Sequence, residues 1–531
     1  MRRDPQQQRR LPRQRGQSDR RRRSASARLR QGRVLRETDG GLRRRRRARH
    51  HPGGASCGDG RGASLEAADA RQRADRRGRR DRERAHLQSQ SSIEEEVLSA
   101  RARIDALADP GSVELLPAAG ASPHLARFGI AARDDDGVVC ARVRVAGAPM
   151  LVAAQDAAFL GGSVGAKHAQ ALQALFDAAR AESTSAVVLL LASGGVRLHE
   201  ANAAELGLAR ALTALLDTRA AGVPVLAVAV GHVFGGASVL ACAANRLAVL
   251  PQVRIGLSGP RVLESVHGKW ELDADDARDV DLVFGALSRT RAGYTELVTD
   301  APEALRAWVV RASGRREPFE AQVYAAHTWL ATRIAADTAQ TPAFEALPCF
   351  DGAAPVDPGG RLWRHPRCWL TAPSSGATVG PAEAHALDSA LLLHVAGAGG
   401  ATSAPLVLVE DSAGHAVSRA AEMRFVSQYL AHHAAVLTLL RHRGRRLVGL
   451  LAGTCHSAAF FSHALQAGER YALAQAEVVA MEPTAIVRVT GLDAAALIEN
   501  DPMLGHPVRH FAAQGGVTAM IDEASLASLG I

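Results

Sequence analysis

One α/β pattern occurs twice in this chain, at matched spacing, and that repeat limits the fold more than any single motif. In the first copy an apolar run, AVVLLLA (186–192), ends at Ser193-Gly194-Gly195. A helical stretch follows, then the run VPVLAVAV (223–230), the turn GHVFGGAS (231–238) and a second helix. The second copy opens with PLVLVED (405–411) and Ser412-Ala413-Gly414, then a long helical stretch, RLVGLLAG (446–453) and TCHSAAFFSHALQAG. Short runs of branched apolar residues broken by small-residue turns read as buried parallel strands. Their alternation with helical patterns reads as βαβ units. Aligning Gly235-Gly236 with Ala458-Ala459 gives 40 and 44 residues from Gly195 and Gly414, and 25 residues onward to Pro260 and Pro483 in both copies. Equal landmark spacing in two units argues for duplication.

The charge is divided unevenly along the chain. Residues 1–85 hold 29 Arg against 10 Asp or Glu, a net of +19, which leaves −9 for the remainder of a chain whose total is +10. Residues 1–88 are low in complexity and lack apolar periodicity, so they are expected to be a disordered basic tail. A nucleic-acid role would need that charge on a folded face, so nucleic acid is not expected as a partner. The six cysteines form no C-x-x-C pair and no histidine cluster has zinc spacing, so no metal is expected. Isolated thiols read as a reducing compartment. No run reaches the length of a membrane helix, and no apolar secretory segment opens the chain. No membrane and a cytoplasmic location are the expectation. The boundaries read as the tail 1–88, a first domain 89–340, a Pro/Gly-rich linker 341–364 and a second domain 365–531.

In each copy, strands run into small residues that open helices. The first N–H groups of a helix have no intrahelical partner, and the helix dipole is positive there. Two such groups aimed at one point make an oxyanion hole. Its natural client is a thioester carbonyl becoming an enolate, as when carbon dioxide leaves a malonyl thioester. Close packing of helix on strand selects the same small residues, so the turns alone leave both readings open.

The segments SGGVRLHEAN, GHVFGGAS and GLSGP resemble those of carboxyltransferase domains of the crotonase-like superfamily. Residues 91–310 resemble the malonate decarboxylase β subunit through DPGS, SPHL, GGSVG, SGGVRLHEAN and FGGAS. Residues 365–531 resemble the γ subunit through DSAGHAVSR, YLAHHAAVL, GTCHSAAFFSHAL, YALAQAEVVAMEP and the IxRVTGL segment. The resemblance implies an α/β fold of two crotonase-like, carboxyltransferase-type ββα-superhelix domains in one chain, a natural β–γ fusion. It implies decarboxylation of a malonyl thioester on an acyl carrier subunit that bears a phosphoribosyl-dephospho-coenzyme A arm. A separate malonate/acetyl transferase α subunit and a homodimer of fused chains are the other implied partners. No A-M-K-M-type attachment motif occurs, which points to the biotin-independent branch, with no cofactor bound covalently to this chain.

Carried over by position, the backbones of Gly235 and Gly236 would form one oxyanion hole and those of Ala458 and Ala459 the other, where Gly-Gly is the commoner pair. Ser193, Gly194, Gly195, Ser258, Gly259, Gly414 and Ser457 are expected to line the substrate. Arg197 would steer the malonyl carboxylate or pair with Glu200 one turn on. His456 is the candidate proton donor, with His199 and His232 behind it. A biotin-dependent acyl-CoA carboxyltransferase would share these features. A crotonase-type hydratase would need paired carboxylates, for which Glu200 and Glu482 are the candidates.

Overall fold

The structure, a computed structural model, describes residues 98–334, 350–373, 376–396, 404–480, 487, 506–529 and 531. The tail at 1–88, residues 341–349 of the linker, Glu482, Pro483 and most of the IxRVTGL segment lie outside the described residues.

The first sheet has seven strands in sequence order: β1 (Glu114–Leu115), β2 (Val138–Val145), β3 (Ala148–Gln155), β4 (Ala186–Ser193), β5 (Val225–Val233), β6 (Arg246–Val249) and β7 (Glu296–Leu297). It begins antiparallel through the β2–β3 hairpin and is parallel from β3 onward. The second sheet has eight: β8 (Ala354–Pro355), β9 (Leu362–Arg364), β10 (Trp369–Thr371), β11 (Leu406–Ser412), β12 (Leu447–His456), β13 (Glu469–Leu473), β14 (Glu477–Val479) and β15 (Ala519–Ile521). It too begins antiparallel, from β8 to β10, and is parallel thereafter. The repeat is therefore architectural: an antiparallel lead-in feeding a parallel sheet, twice. Strands β8 and β9 come from the stretch read as a linker, so the second sheet starts earlier than that reading placed it.

The helices that bear on the two turns are α1 (Ala100–Leu107), α2 (Ala166–Ala181), α3 (Ala201–Ala220), α4 (Gly236–Cys242), α5 (Pro260–His267), α6 (Pro381–Ala390), α7 (Arg419–Met423), α8 (Val426–His442) and α9 (Ser457–Ser462). Helix α1 is capped by Ser99, whose hydroxyl accepts the Ala102 N–H. Helix α3 begins at Ala201, five residues after the apolar pattern suggests, because Val196 to Glu200 form the turn that buries Arg197 and Glu200. The long helical stretch after Ser418 is broken at Phe425, whose φ of 56° no α-helix accommodates, and so becomes α7 and α8.

Every residue of β4 is buried, which explains its unbroken apolar sequence. Leu208 and Leu212 of α3 share one apolar cluster with Tyr429 of α8 and Phe461 of α9. Polar contacts cross between the halves as well. Asn202 donates to the Val478 carbonyl at 3.3 Å and accepts the Ala480 N–H at 3.0 Å. The hydroxyls of Ser238 and Ser427 lie 2.7 Å apart.

Candidate functional site

The turns that end β4 and β11 have the same geometry. Each strand carries a register shift just before its end, after which Ser193 faces Val233 and Ser412 faces Cys455. Gly195 and Gly414 then take φ of 103° and 92°. The next bridges also correspond, Val164 with Val196 and Val379 with His415. Counting from these pairs, the residues two past Val233 and two past Cys455 are Gly235 and Ser457. Both are left-handed, at φ 60° and 50°. Gly235-Gly236 is thus matched by Ser457-Ala458, one residue earlier than Ala458-Ala459. The close approaches agree: a Cβ on Gly235 would meet the Gly195 Cα at 2.9 Å, and one on Gly414 would meet the Ser457 Oγ at 2.8 Å. Downstream, Val233 bridges Ile255 and Cys455 pairs with Val478, so the second half carries one extra residue in that interval.

This register alters the candidate donors. The Gly235 N–H is already used, donating to the Leu257 carbonyl at 2.9 Å. Gly236 opens α4, where an N–H has no intrahelical partner. Ala458 stands at the corresponding place in α9 and is buried, as is Ala459 behind it. Ser457 is a non-glycine residue in the left-handed region, a strain of roughly 1–3 kcal/mol held by its surroundings.

The other residues singled out in the sequence fall into two groups. Ser193 accepts the Gly195 N–H at its hydroxyl, 3.2 Å away, and Gly194 donates to the Gly161 carbonyl, so both shape the first turn. Gly259 caps α5 without a side chain, next to Ser258. Arg197 belongs to the scaffold. It is fully buried, with Nη1 on Asp136 at 2.5 Å and on Glu200 at 2.8 Å, Nη2 on the Asp136 and Ser163 carbonyls, and Nε near the Ser163 hydroxyl. A guanidinium has five N–H donors, so none remains for a malonyl carboxylate. Of the two readings of Arg197, the pairing with Glu200 is the one the contacts support. Glu200 is equally committed, accepting the Ala166 N–H at 2.7 Å and the Ser122 hydroxyl at 2.8 Å. It is therefore not available as one of a hydratase's paired carboxylates. His199 lies edge-on to Phe128, and His232 is exposed and accepts the Arg254 N–H. His456 stands at the N-cap of α9, beside Gly414.

His415 was absent from the sequence-based candidates. Its Nε2 is 3.0 Å from the Ser258 hydroxyl of the first half, and its Nδ1 is 2.9 Å from the Ser457 hydroxyl of the second. Burial, with a smaller contribution from His456, pushes its pKa down to about 3, so the ring is neutral at physiological pH. Ser258 is fixed in turn by Glu422 of α7, which accepts the N–H groups of Ser258 at 2.6 Å and Leu257 at 3.2 Å. Leu257 is the residue whose carbonyl takes the Gly235 N–H, so the two strand-to-helix turns are joined through Ser258, His415 and Ser457. No sequence signal links residues 157 positions apart, as His415 and Ser258 are.

Behind the second turn lies a buried acid pair, one member from each half. Glu205 of α3 and Glu410 of β11 each leave Oε2 without a partner among the described residues. The other oxygen of Glu410 accepts the Ser412 hydroxyl at 2.6 Å. Burial raises both, Glu410 to about 8. A carboxyl whose folded pKa lies above its unfolded one contributes stability below the unfolded value, and that contribution disappears as pH rises through the folded value. Glu410 therefore lowers stability progressively between about pH 4.5 and 8. Glu410→Gln removes that slope and is expected to be more stable than the parent by about 4 kcal/mol at pH 7.5, with a difference below about 1 kcal/mol at pH 5. Urea unfolding at the two pH values measures this, and a difference independent of pH would contradict it.

Residues 93–313 match the carboxyl transferase domain family, and residues 374–529 match the malonate decarboxylase gamma subunit family. These matches and the paired sheets define a carboxyltransferase-type protein. The malonyl-S-ACP:biotin-protein carboxyltransferase of Malonomonas rubra is 35% identical over 29% of this chain and 54% of its own length. The acetyl-coenzyme A carboxylase carboxyl transferase subunits beta/alpha of Salinispora tropica are 31% identical over 42% of this chain and 40% of their length. The chain thus spans about half or less of these relatives. A chain in the structure of a Pseudomonas malonate decarboxylase hetero-tetramer in complex with malonate is 32% identical, covering 46% of this chain and 92% of that one, with a TM-score of 0.42. The chain thus joins, in one polypeptide, a segment similar to a carboxyl transferase domain and a segment similar to a malonate decarboxylase gamma subunit. Among the described residues no group of side chains could hold a metal ion, and no helix is long and apolar enough to cross a membrane.

Proposed function

We propose that this chain decarboxylates a malonyl thioester, presented on an acyl carrier subunit, to the acetyl thioester. The observation that carries the reading is the pair of matched turns, one from each half, tied together through Ser258, His415 and Ser457. The thioester oxygen would accept the Gly236 N–H, and the Ala458 N–H would hold the departing carboxylate or share the enolate charge. Ala459 contributes the next N–H of the same helical turn. Backbone donors suit this reaction because negative charge develops on oxygen and no covalent nucleophile is required. Ser193, Gly194, Gly195, Gly259 and Gly414 shape the walls, and small residues there let the thioester approach the backbone. His456 borders the γ-type turn. The carrier's phosphoribosyl-dephospho-coenzyme A arm would deliver the substrate, and a transferase α subunit would load it. A first domain near 89–340, a second that begins ahead of 365 with β8 and β9, a homodimer of fused chains and a cytoplasmic setting complete the reading.

A second reading has one specific support. The Malonomonas relative is by its name a carboxyltransferase from malonyl-S-ACP to a biotin protein. The same enolate chemistry would then hand its carboxyl group to biotin. Avidin separates the two. Turnover of malonyl carrier by this chain and its own partner subunits is expected to be unchanged by excess avidin, whereas inhibition by avidin would place the chain in the biotin-dependent branch.

A further inference from the structure

Decarboxylation breaks a carbon–carbon bond and leaves a carbanion equivalent that must take up a proton, and the backbone donors above cannot supply one. Resting on the decarboxylase reading, we propose that Ser457, His415 and Ser258 form a proton relay, fed by Glu422, that protonates the enolate carbon after carbon dioxide leaves.

The geometry orders the relay. Ser457 lies at its open end, half-buried, with its hydroxyl beside Gly414. Its hydroxyl meets His415 Nδ1 at 2.9 Å, and His415 Nε2 meets the Ser258 hydroxyl at 3.0 Å. Ser258 is 3% exposed, and its hydroxyl as well as its N–H lies against the fully buried Glu422 carboxyl. In the productive tautomer Nδ1–H donates to the Ser457 oxygen, which leaves the Ser457 hydrogen free to point at the substrate. Nε2 then accepts the Ser258 hydroxyl, and the Ser258 oxygen accepts the Glu422 proton.

In the step, the electron pair of the broken carbon–carbon bond, held as the enolate, takes the Ser457 hydrogen and forms the methyl C–H. Ser457 takes the Nδ1 hydrogen, Nε2 takes the Ser258 hydrogen, and Ser258 takes the Glu422 proton. His415 changes tautomer and is never an imidazolium, as suits a ring whose burial makes protonation costly. Glu422 suits the far end, because burial raises it to about 7. The carboxylate it becomes is held by two N–H groups and by Arg289, 3.6 Å away. Between turnovers the shift runs in reverse: Ser457 returns its hydrogen to Nδ1 and takes one from solvent, Nε2 returns its hydrogen to Ser258, and Ser258 returns one to Glu422, which restores the starting tautomer.

The test uses the full chain with its carrier. His415→Ala and Ser457→Ala are compared with the parent for acetyl-carrier formation and for uptake of labelled carbon dioxide into malonyl carrier. A relay variant still forms the enolate but protonates it slowly. Acetyl-carrier formation is expected to fall about 100-fold, while label uptake per product formed rises. Added imidazole is expected to restore much of the loss in His415→Ala. A folded variant within a few-fold of the parent overturns the relay. So does a variant in which product and label uptake fall together without rescue, since a latch between the halves would behave that way. Should His415→Ala not fold, Ser457→Ala decides by the same criteria. If the parent itself does not decarboxylate malonyl carrier, the decarboxylase reading has failed rather than the relay.

Discussion

Arg197→Met is expected to lose about 3–5 kcal/mol of stability, the usual effect of removing one partner from a buried ion pair. Arg197 and Glu200 are fully buried, and Asp136 is nearly so. Their three charges and the Asp136 and Ser163 carbonyls satisfy one another. Without the guanidinium, Asp136 and Glu200 become buried carboxyls with no cation. Burial already holds the Asp136 carboxyl above its ordinary range despite Arg197. The cluster also ties the β2–β3 approach to the first residues of α2 and α3, because Asp136 accepts the His168 N–H and Glu200 accepts that of Ala166. Arg197→Lys is expected to recover only part of the loss, since one ammonium cannot span acceptors arranged for a planar fork. Denaturant unfolding measures both variants. Were Arg197 a substrate ligand, Arg197→Met would instead raise KM at nearly unchanged stability.

The second large effect concerns the oxyanion donors. Gly236→Pro is expected to lower kcat by about 10²–10³-fold, the range for loss of one such donor. Proline is tolerated at the first position of a helix, so the substitution removes the N–H and little else of the backbone. Gly236→Ala is the control. Its Cβ would meet the same neighbours, the end of Leu208 at 2.5 Å and Phe461 at 3.7 Å, while keeping the N–H. It is expected to stay within a few-fold of the parent once Leu208 shifts. Ala458→Pro is the matching substitution in the second half. Gly235→Pro would be a poor test, because it breaks the bond to Leu257 and forces proline into a φ of 60°. Equal kcat for Gly236→Pro and Gly236→Ala would remove the assigned donor.

The repeat was legible because strands buried on both faces write themselves as unbroken apolar runs, and small residues mark where they end. Those features placed both turns to within a residue. They did not fix the register, because Gly-Gly and Ala-Ala look equivalent as small pairs. The structural match follows the left-handed residue instead, and nothing in the composition of Ser457 announces a φ of 50°. The role of Arg197 was half legible. Its spacing to Glu200 suggested an ion pair, but Asp136 is 61 residues away, and only the fold reveals that every donor is spent. His415 was invisible for the same reason: both of its partners arrive through tertiary structure.

Biotin-independent decarboxylation is tested by mixing this chain with malonyl carrier labelled in the thioester carbonyl, with no biotin protein present, and following both products. Acetyl carrier and carbon dioxide are expected in equal amounts, with one solvent hydrogen in the new methyl group. Malonyl carrier that stays unchanged, and turns over only when a biotin carrier is added, would contradict that assignment.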